Sequence, residues 1–185
     1  MELLTPNLFS KVIRFAGLIL FLIISSYADY LFADNRLNRE NQIKAVYLTH
    51  FAELTRWPEK LDHDTTFTIC LYDQPLLVPF LEELSHELIN NKQLKVVQIE
   101  SLNIQNNCRI IYFNNTDTIE SEPELSALYP EMLLIGNSRQ FVKNGGSISF
   151  VLEENKIKLI INLGQVRHSG LDISSKLLRI AEVIE

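Results

Sequence analysis

The spacing of apolar residues predicts alternating helices and strands. Between residues 37 and 55, apolar side chains recur every three or four positions, which places them on one face of a helix, and Pro58 lies just beyond its end. Short apolar runs bounded by polar residues predict strands at 67–72, 94–99, 109–113 and 132–135. Further helices are predicted from Pro75 to the Asn90–Asn91 turn, over 116–129, and after residues 136–138 through Phe141 and Val142.

The last third of the chain has a different pattern. Two apolar runs, 147–152 and 156–161, are joined by Glu154–Asn155 and predict a β-hairpin. Residues 156–160 alternate between polar and apolar, as expected of an edge or half-exposed strand. Apolar residues at helical spacing predict a final helix: Ile173, Leu177, Ile180, Ala181 and Ile184. The whole order predicts an α/β fold: a mostly parallel sheet flanked by helices, with a C-terminal antiparallel β-hairpin and terminal helix.

Residues 1–28 have the layout of a secretory signal peptide. Lys11 and Arg14 precede an apolar run over 15–24, and small residues lead to a cut after Ala28, with Ala33 as the second choice. The run is about half of the ~20 residues that span a bilayer, which favours a cleaved signal over an uncleaved anchor. A buried N-terminal core helix is less favoured because the run has no polar face. We expect a signal peptide over 1–28, a flexible lead-in over 29–40 and one α/β domain over 41–185.

The charge balance disfavours two classes of partner. The chain has 17 basic and 23 acidic residues, and loss of Glu2, Lys11 and Arg14 with the signal leaves 15 and 22, a net charge of −7. Nucleic-acid binding requires a basic footprint, and this chain has no basic run. We therefore expect no nucleic-acid partner and no direct membrane binding after signal cleavage.

The chain shows no motif for catalysis. There is no G-x-S-x-G, Walker or G-x-G-x-x-G sequence, and the four histidines are scattered, so we predict no catalytic residue, metal or cofactor. Gly145–Gly146 is interpreted as a turn that needs positive φ. In an oxidising compartment Cys70 and Cys108 are expected to form a disulfide rather than a metal site, with two inert buried thiols as the alternative.

Four features together carry a resemblance to a known family. They are the segment 47–58 (YLTHFAELTRWP), the placement of Cys70 and Cys108, the glycine-rich stretch from Gly136 to Phe150, and the segment 161–178. In this order and spacing they resemble the YfiR-like family of bacterial periplasmic proteins, over residues 41–183.

The resemblance implies a periplasmic, homodimeric α/β protein that regulates signalling. Its partner would be a membrane-anchored diguanylate cyclase, or another membrane signalling protein. Repression of the cyclase's periplasmic part would lower cyclic di-GMP and hence biofilm formation. Cys70 and Cys108 would be the family's structural disulfide. The absence of further cysteines argues against a thiol switch near the terminal hairpin.

We expect the partner to bind the segment from Asn162 to Lys176, because a dense run of small and apolar residues from Gly164 to Ile173 is predicted to be exposed there. The end of the first helix is the second choice. The predicted partner-binding residues are Asn162, Gly170, Leu171, Ile173, Ser174, Ser175, Lys176, Phe51 and Trp57.

Several of these residues also have structural interpretations. Asn162 suits a helix N-cap, as do Asp172 or Ser174 for the last helix. Gly170 suits a helix C-terminus, and the Trp57 ring suits packing on the core.

Two other functions remain open. The main alternative is a periplasmic sensor of a small ligand, acting on a histidine kinase or transporter. Its ligand would lie near the loops 73–74 and 136–138, at the carboxyl ends of strands. An enzyme is the third class, supported only by polar loops at strand ends.

Overall fold

The computed structural model describes residues 36–58, 64–86, 88–100, 107–114 and 129–185, together with positions 14 and 16. The chain divides into two compact units, Met1–Glu40 and Asn41–Glu185. In the first unit the described residues are helical. No helix among the described residues is long and apolar enough to cross a membrane. Apart from positions 14 and 16, the predicted signal peptide lies outside the described residues, as does most of the helix predicted over 116–129.

The second unit contains an eight-stranded sheet and a separate two-stranded ribbon, among the described residues. The strands are β1 (Thr55–Arg56), β2 (Thr66–Tyr72), β3 (Leu88–Ile89), β4 (Lys92–Ile99), β5 (Ile110–Phe113), β6 (Leu133–Gly136), β7 (Ile148–Glu153), β8 (Lys156–Asn162), β9 (Asp172–Ile173) and β10 (Glu182–Ile184). The helices are α1 (41–54), α2 (Val78–Leu84, after a 3-10 turn at Pro75–Leu77), α3 (Arg139–Lys143), α4 (Leu163–His168) and α5 (Ser175–Leu178).

The large sheet is mostly parallel. Its strand order is β10-β8-β7-β6-β5-β2-β4-β3, and β4, β2, β5, β6 and β7 run in one direction. Strands β3 and β8 are antiparallel to β4 and β7, while β10 is parallel to β8. The α/β fold with a mostly parallel sheet and a C-terminal hairpin is therefore confirmed.

Both faces of the sheet are covered. Successive side chains along a strand point to opposite faces, and each set is buried in a cluster of its own. Ile69 and Tyr112 belong to one buried cluster, together with Leu48 and Phe51 of α1. Cys70 and Ile111, their neighbours in sequence, belong to a second cluster that includes residues of α3. The largely apolar run in β2 thus arises because residues 67–71 are all buried, on one face of the sheet or the other.

The prediction of one long helix from Pro75 to the Asn90–Asn91 turn is wrong. Helix α2 ends at Leu84, and Leu88 lies in β3 with 63% of its side chain exposed. Asn90 and Asn91 have φ of 50° and 64°, the left-handed conformation of a two-residue hairpin turn. They join β3 to β4 as an antiparallel pair. The asparagine pair therefore closes a hairpin rather than a helix.

The chain's final segment also differs from the prediction. The last helix, α5, ends at Leu178, and Val183 and Ile184 lie in β10, which pairs in parallel with Ile161 and Asn162 of β8. Strand β8 is consequently not the edge of the sheet along its whole length. The β-branched pair Val183–Ile184 suits a strand, and the unpaired side of β8 offers it hydrogen bonds that a longer helix would forgo.

Each glycine of the Gly145–Gly146 pair has a different role. Gly145 adopts φ of 99°, so the predicted turn with positive φ is confirmed there. At position 146, glycine is required because there is no room for a side chain: an added Cβ would lie 2.2 Å from the Phe141 ring. That ring is held by α3, whose N-cap Ser138 accepts a hydrogen bond from the Phe141 N–H at 3.0 Å.

Candidate functional site

The two-stranded ribbon joins the two segments that sequence analysis proposed as separate candidates. In this ribbon β1 pairs antiparallel with β9, with Thr55 opposite Ile173 and Arg56 opposite Asp172. The backbone N–H of Ser174 also donates to the Leu54 carbonyl at 2.8 Å. The end of α1 and the segment before Lys176 therefore form one continuous surface.

A groove of about 430 Å³ lies along this ribbon, and we call it the ribbon groove. It is lined by Glu53, Leu54, Thr55, Arg56, Asp172, Ile173, Ser174 and Ser175. Arg56 Nη1 donates to Asp172 Oδ2 at 2.9 Å, with the two side chains 82% and 55% exposed. Such an exposed pair contributes about 0–1 kcal/mol, so it can open at little cost. Thr55 is buried, and its Oγ1 has no hydrogen-bond partner among the described residues.

Helix α4 and the turn after it place β9 against β1. Asn162 caps α4, because its Oδ1 accepts from the Gln165 N–H at 2.9 Å, and its Nδ2 donates to the Val142 carbonyl at 2.9 Å. Gly170 follows the helix with φ of 71°, a left-handed conformation that favours glycine. The Leu171 N–H then bonds back to the Val166 carbonyl at 3.1 Å. The predicted capping role of Asn162 and terminating role of Gly170 are confirmed.

Ser174 and Trp57 also have the structural roles that their sequence positions indicated. Ser174 Oγ accepts from the Lys176 N–H at 3.3 Å, so Ser174 rather than Asp172 caps α5. Trp57 Nε1 donates to the Ala52 carbonyl at 3.1 Å, and its ring packs edge-on against Phe67 with centroids 5.3 Å apart.

Three predicted partner-binding residues do not form an exposed apolar patch. Phe51, Leu171 and Ile173 are only 0%, 2% and 4% exposed and belong to the main core cluster. The expectation that these side chains are exposed is wrong, because α4 and the ribbon fold them against the sheet. A charged substitution at Leu171 or Ile173 would therefore report on folding and not on binding.

The remaining predicted residues reach the surface to different extents. Gly170, Ser175 and Lys176 are exposed, whereas Asn162, Ser174 and Trp57 are half-buried. The pairing of Arg56 with Asp172 is not predictable from the sequence, since the two residues lie 116 positions apart and β1 and β9 have two residues each. The only signal in the sequence was the charge of these two side chains.

A second charged cluster lies on α3, β7, β8 and β10. Arg139 bonds to Glu153 and Glu182, both at 2.7 Å, and Lys158 also binds Glu153. Hydrogen bonds from Lys158 and then Arg139 lower the pKa of Glu153, and the bond from Arg139 lowers the pKa of Glu182. The same two carboxylates, Glu182 first, raise the pKa of Arg139. These bonds link the last strand, β10, to the hairpin and to α3.

The described residues contain a disulfide and no metal-binding group. Cys70 and Cys108 are bonded, with their Cα atoms 5.7 Å apart, as predicted. Within the described ranges, no three His, Cys, Asp or Glu side chains are grouped so that they could hold a metal ion.

A family model described as YfiR/HmsC-like matches residues 41–182. The chain belongs to the YfiR/HmsC-like family. The match includes the ribbon groove and both cysteines, and it confirms the resemblance drawn from the motifs. Among proteins with curated descriptions, none is significantly similar to this chain.

Two solved structures show a weaker likeness. One is the ABC domain in complex with L-Trp from Streptococcus pneumonia, with 14% identity, a TM-score of 0.45, and coverage of 64% of this chain and 55% of that chain. The other is a conserved domain protein from Vibrio cholerae, with 13% identity, a TM-score of 0.49, and coverage of 76% and 60%. The chain thus spans less than two thirds of either protein.

Proposed function

We propose that this chain is a periplasmic inhibitory regulator that binds the periplasmic sensor part of an inner-membrane diguanylate cyclase and represses it. Membership of the YfiR/HmsC-like family supports a periplasmic regulator of diguanylate cyclase signalling. Binding must favour the inactive conformation of the enzyme, and a tenfold preference requires only about 1.4 kcal/mol of differential contact. Export by the signal peptide and formation of a homodimer belong to the same proposal.

The ribbon groove is the proposed docking surface. The observation that carries this choice is the β1–β9 pairing, which unites both candidate segments in one open, polar groove. Non-obligate protein interfaces are about as polar as the rest of the surface and have solvent-exposed polar rims. An acidic side chain of the partner would compete with Asp172 for Arg56, and the exposed pair offers little resistance to that exchange.

Charge substitutions at the exposed pair test this surface. Arg56→Glu should weaken binding to the purified periplasmic part of the cyclase at least tenfold, because it places a like charge opposite the partner's acid. Lys143→Glu is the matched control, since Lys143 is exposed on α3 and outside the groove. Affinity is measured by calorimetry, and cyclic di-GMP is measured in cells that express each variant.

The outcomes distinguish an error in the proposed docking surface from an error in the proposed partner. Tight binding by the parent chain that Arg56→Glu leaves unchanged would refute the groove as the docking surface. If the parent chain does not bind the cyclase and does not lower cyclic di-GMP, the cyclase is the wrong partner. Unchanged thermal unfolding of both variants is required, and the exposure of both side chains makes it the expected result.

A further inference from the structure

The exposed side of α5 combines two cations with an apolar side chain. The helix spans Ser175–Leu178, and Arg179 keeps a helical backbone, with φ of −69° and ψ of −22°. Arg179 and Ile180 follow Lys176 by three and four positions, so the three side chains lie on one face. All three are exposed, Ile180 to 61%, whereas Leu177 is buried in the main core cluster. We call Lys176, Arg179 and Ile180 the α5 face.

The chain itself does not neutralise the two cations of the α5 face. Residues 173–181 contain no Asp or Glu, although the whole chain has 23 acidic and 17 basic residues. The acids on either side are already bonded to arginines: Asp172 to Arg56 at 2.9 Å, and Glu182 to Arg139 at 2.7 Å. Within the described part of the chain, neither cation of the α5 face forms an ion pair. The α5 face is thus a local positive surface on an acidic protein.

The α5 face is continuous with the ribbon groove. Ser174 and Ser175 line the groove and lead directly into α5. The Ser174 N–H donates to the Leu54 carbonyl at 2.8 Å, and Ser174 Oγ accepts from the Lys176 N–H at 3.3 Å, so α5 is held beside the ribbon. An interface that extends from the groove over the α5 face gains an exposed apolar side chain surrounded by charged ones, the usual arrangement of a protein interface.

We propose that the α5 face binds an acidic segment of the partner, whose carboxylates pair with Lys176 and Arg179 and whose apolar side chain covers Ile180. The inference rests on the proposed function and adds the chemistry of the partner's docking segment. Complementary charges across an interface raise specificity and association rate. Burial of Ile180 adds affinity, because it removes apolar surface from water.

The small number of cations favours a protein segment over an anionic membrane. Basic clusters that bind anionic lipid headgroups contain about four to eight Lys and Arg residues. The α5 face has two, next to an Arg56 that is already bonded to Asp172. Two cations suit a short acidic stretch of polypeptide.

Binding of the purified periplasmic part of the cyclase tests the proposal, measured by calorimetry at about 0.05 M and 0.5 M sodium chloride, because salt screens exposed charges. Lys176→Glu/Arg179→Glu should weaken binding at least tenfold at low salt, and high salt should remove most of this difference. Ile180→Ala should weaken binding at least threefold at both concentrations, since salt does not screen an apolar contact.

Lys95→Glu is the matched control and should bind as the parent chain does. Lys95 is exposed in β4, and its neighbours Leu94 and Val96 pack in the main core cluster with Leu177 of α5. Because side chains alternate along a strand, Lys95 points to the opposite face of the sheet. All substituted side chains are exposed, so thermal unfolding should be unchanged. If charge reversal impairs folding, Lys176→Gln/Arg179→Gln replaces it and should reduce the salt dependence of binding.

The outcomes distinguish this inference from the proposed function. If the parent chain binds tightly and the folded double variant binds equally well at low salt, the α5 face is not the docking surface, and the proposed function stands. If the parent chain does not bind the cyclase, the proposed function fails and the inference fails with it. A sedimentation assay uses vesicles with equal parts of phosphatidylethanolamine and phosphatidylglycerol. Sedimentation of the parent chain but not of the double variant, with cyclase binding unchanged, would assign the α5 face to the membrane and overturn the inference.

Discussion

Removal of the disulfide between Cys70 and Cys108 should destabilise the second unit substantially. The bridge closes a loop of 38 residues, and the chain-entropy model assigns such a crosslink about 4 kcal/mol at 25 °C. Both cysteines are buried in the cluster on the second face of the sheet, so the change to alanine also removes packing contacts. We expect Cys70→Ala/Cys108→Ala to lose at least 4 kcal/mol of unfolding free energy. For a domain of this size that corresponds to about 12 °C in Tm.

Urea unfolding followed by circular dichroism measures this loss. The double variant should also show a larger m-value, because the uncrosslinked unfolded chain exposes more surface. Reductant should lower the stability of the parent chain and leave the variant unaffected. A loss below about 1 kcal/mol, with the parent chain insensitive to reductant, would refute the reasoning, since the crosslink would then not restrict the unfolded ensemble.

Two further predictions concern a charged cluster and a glycine. The pKa values of Glu153 and Glu182 are lowered in the folded state, so the two ionised carboxylates stabilise the folded chain. This contribution to the unfolding free energy is complete above the ordinary carboxyl pKa of about 4.3 and is lost as pH falls through the folded-state pKa values. Urea midpoints between about pH 6 and pH 3 should therefore fall less steeply for Arg139→Gln than for the parent chain, and equal slopes would contradict the cluster's role. Gly146→Ala should cost about 1–3 kcal/mol, because its Cβ would lie 2.2 Å from an aromatic ring carbon. Gly164→Ala is the control, with its nearest atom at 3.5 Å and no expected loss; equal stability of both variants in urea would show that the ring yields.

The buried strands were predictable because their burial leaves a direct trace in sequence. Residues of β2, β5 and β6 are apolar at nearly every position, since helices or loops cover both faces of the sheet. The hairpin of β7 and β8 was predictable from Glu154–Asn155, which adopt φ of 51° and 61°. These signals are local and strong, and tertiary contacts reinforce them.

The errors occurred where a local pattern fits two structures. Leu84 and Leu88 have helical spacing, yet the asparagine turn that follows them stabilises a hairpin with β4. Ile180 and Ile184 also have helical spacing, but pairing with β8 decides the structure of Ile184. In both regions an available strand provided hydrogen bonds that the spacing of apolar residues cannot reveal.

The ribbon groove was only half predictable, for a geometric reason. The family motifs pointed to both segments that form it, but two-residue strands carry no periodicity from which their pairing could be inferred. The sequence predicts that Leu171 and Ile173 are exposed, since an apolar residue buried beneath a surface has the same sequence pattern as one that lies on it. In the structure, Ile173 pairs with Thr55 in the ribbon, and both Leu171 and Ile173 are buried in the main core cluster.

The polar character of the groove suits a regulator that must release its partner. A large exposed apolar patch, as first expected from Leu171 and Ile173, would favour permanent association or aggregation. In the structure those side chains stabilise the fold, and the exposed pair of Arg56 and Asp172 remains available for exchange. Exposed charges contribute modestly to affinity and more to specificity and association rate. A partner held at the proposed docking surface would be displaced by a change of about one to two kcal/mol, roughly five- to thirtyfold in affinity, which is within the range of ordinary regulatory coupling.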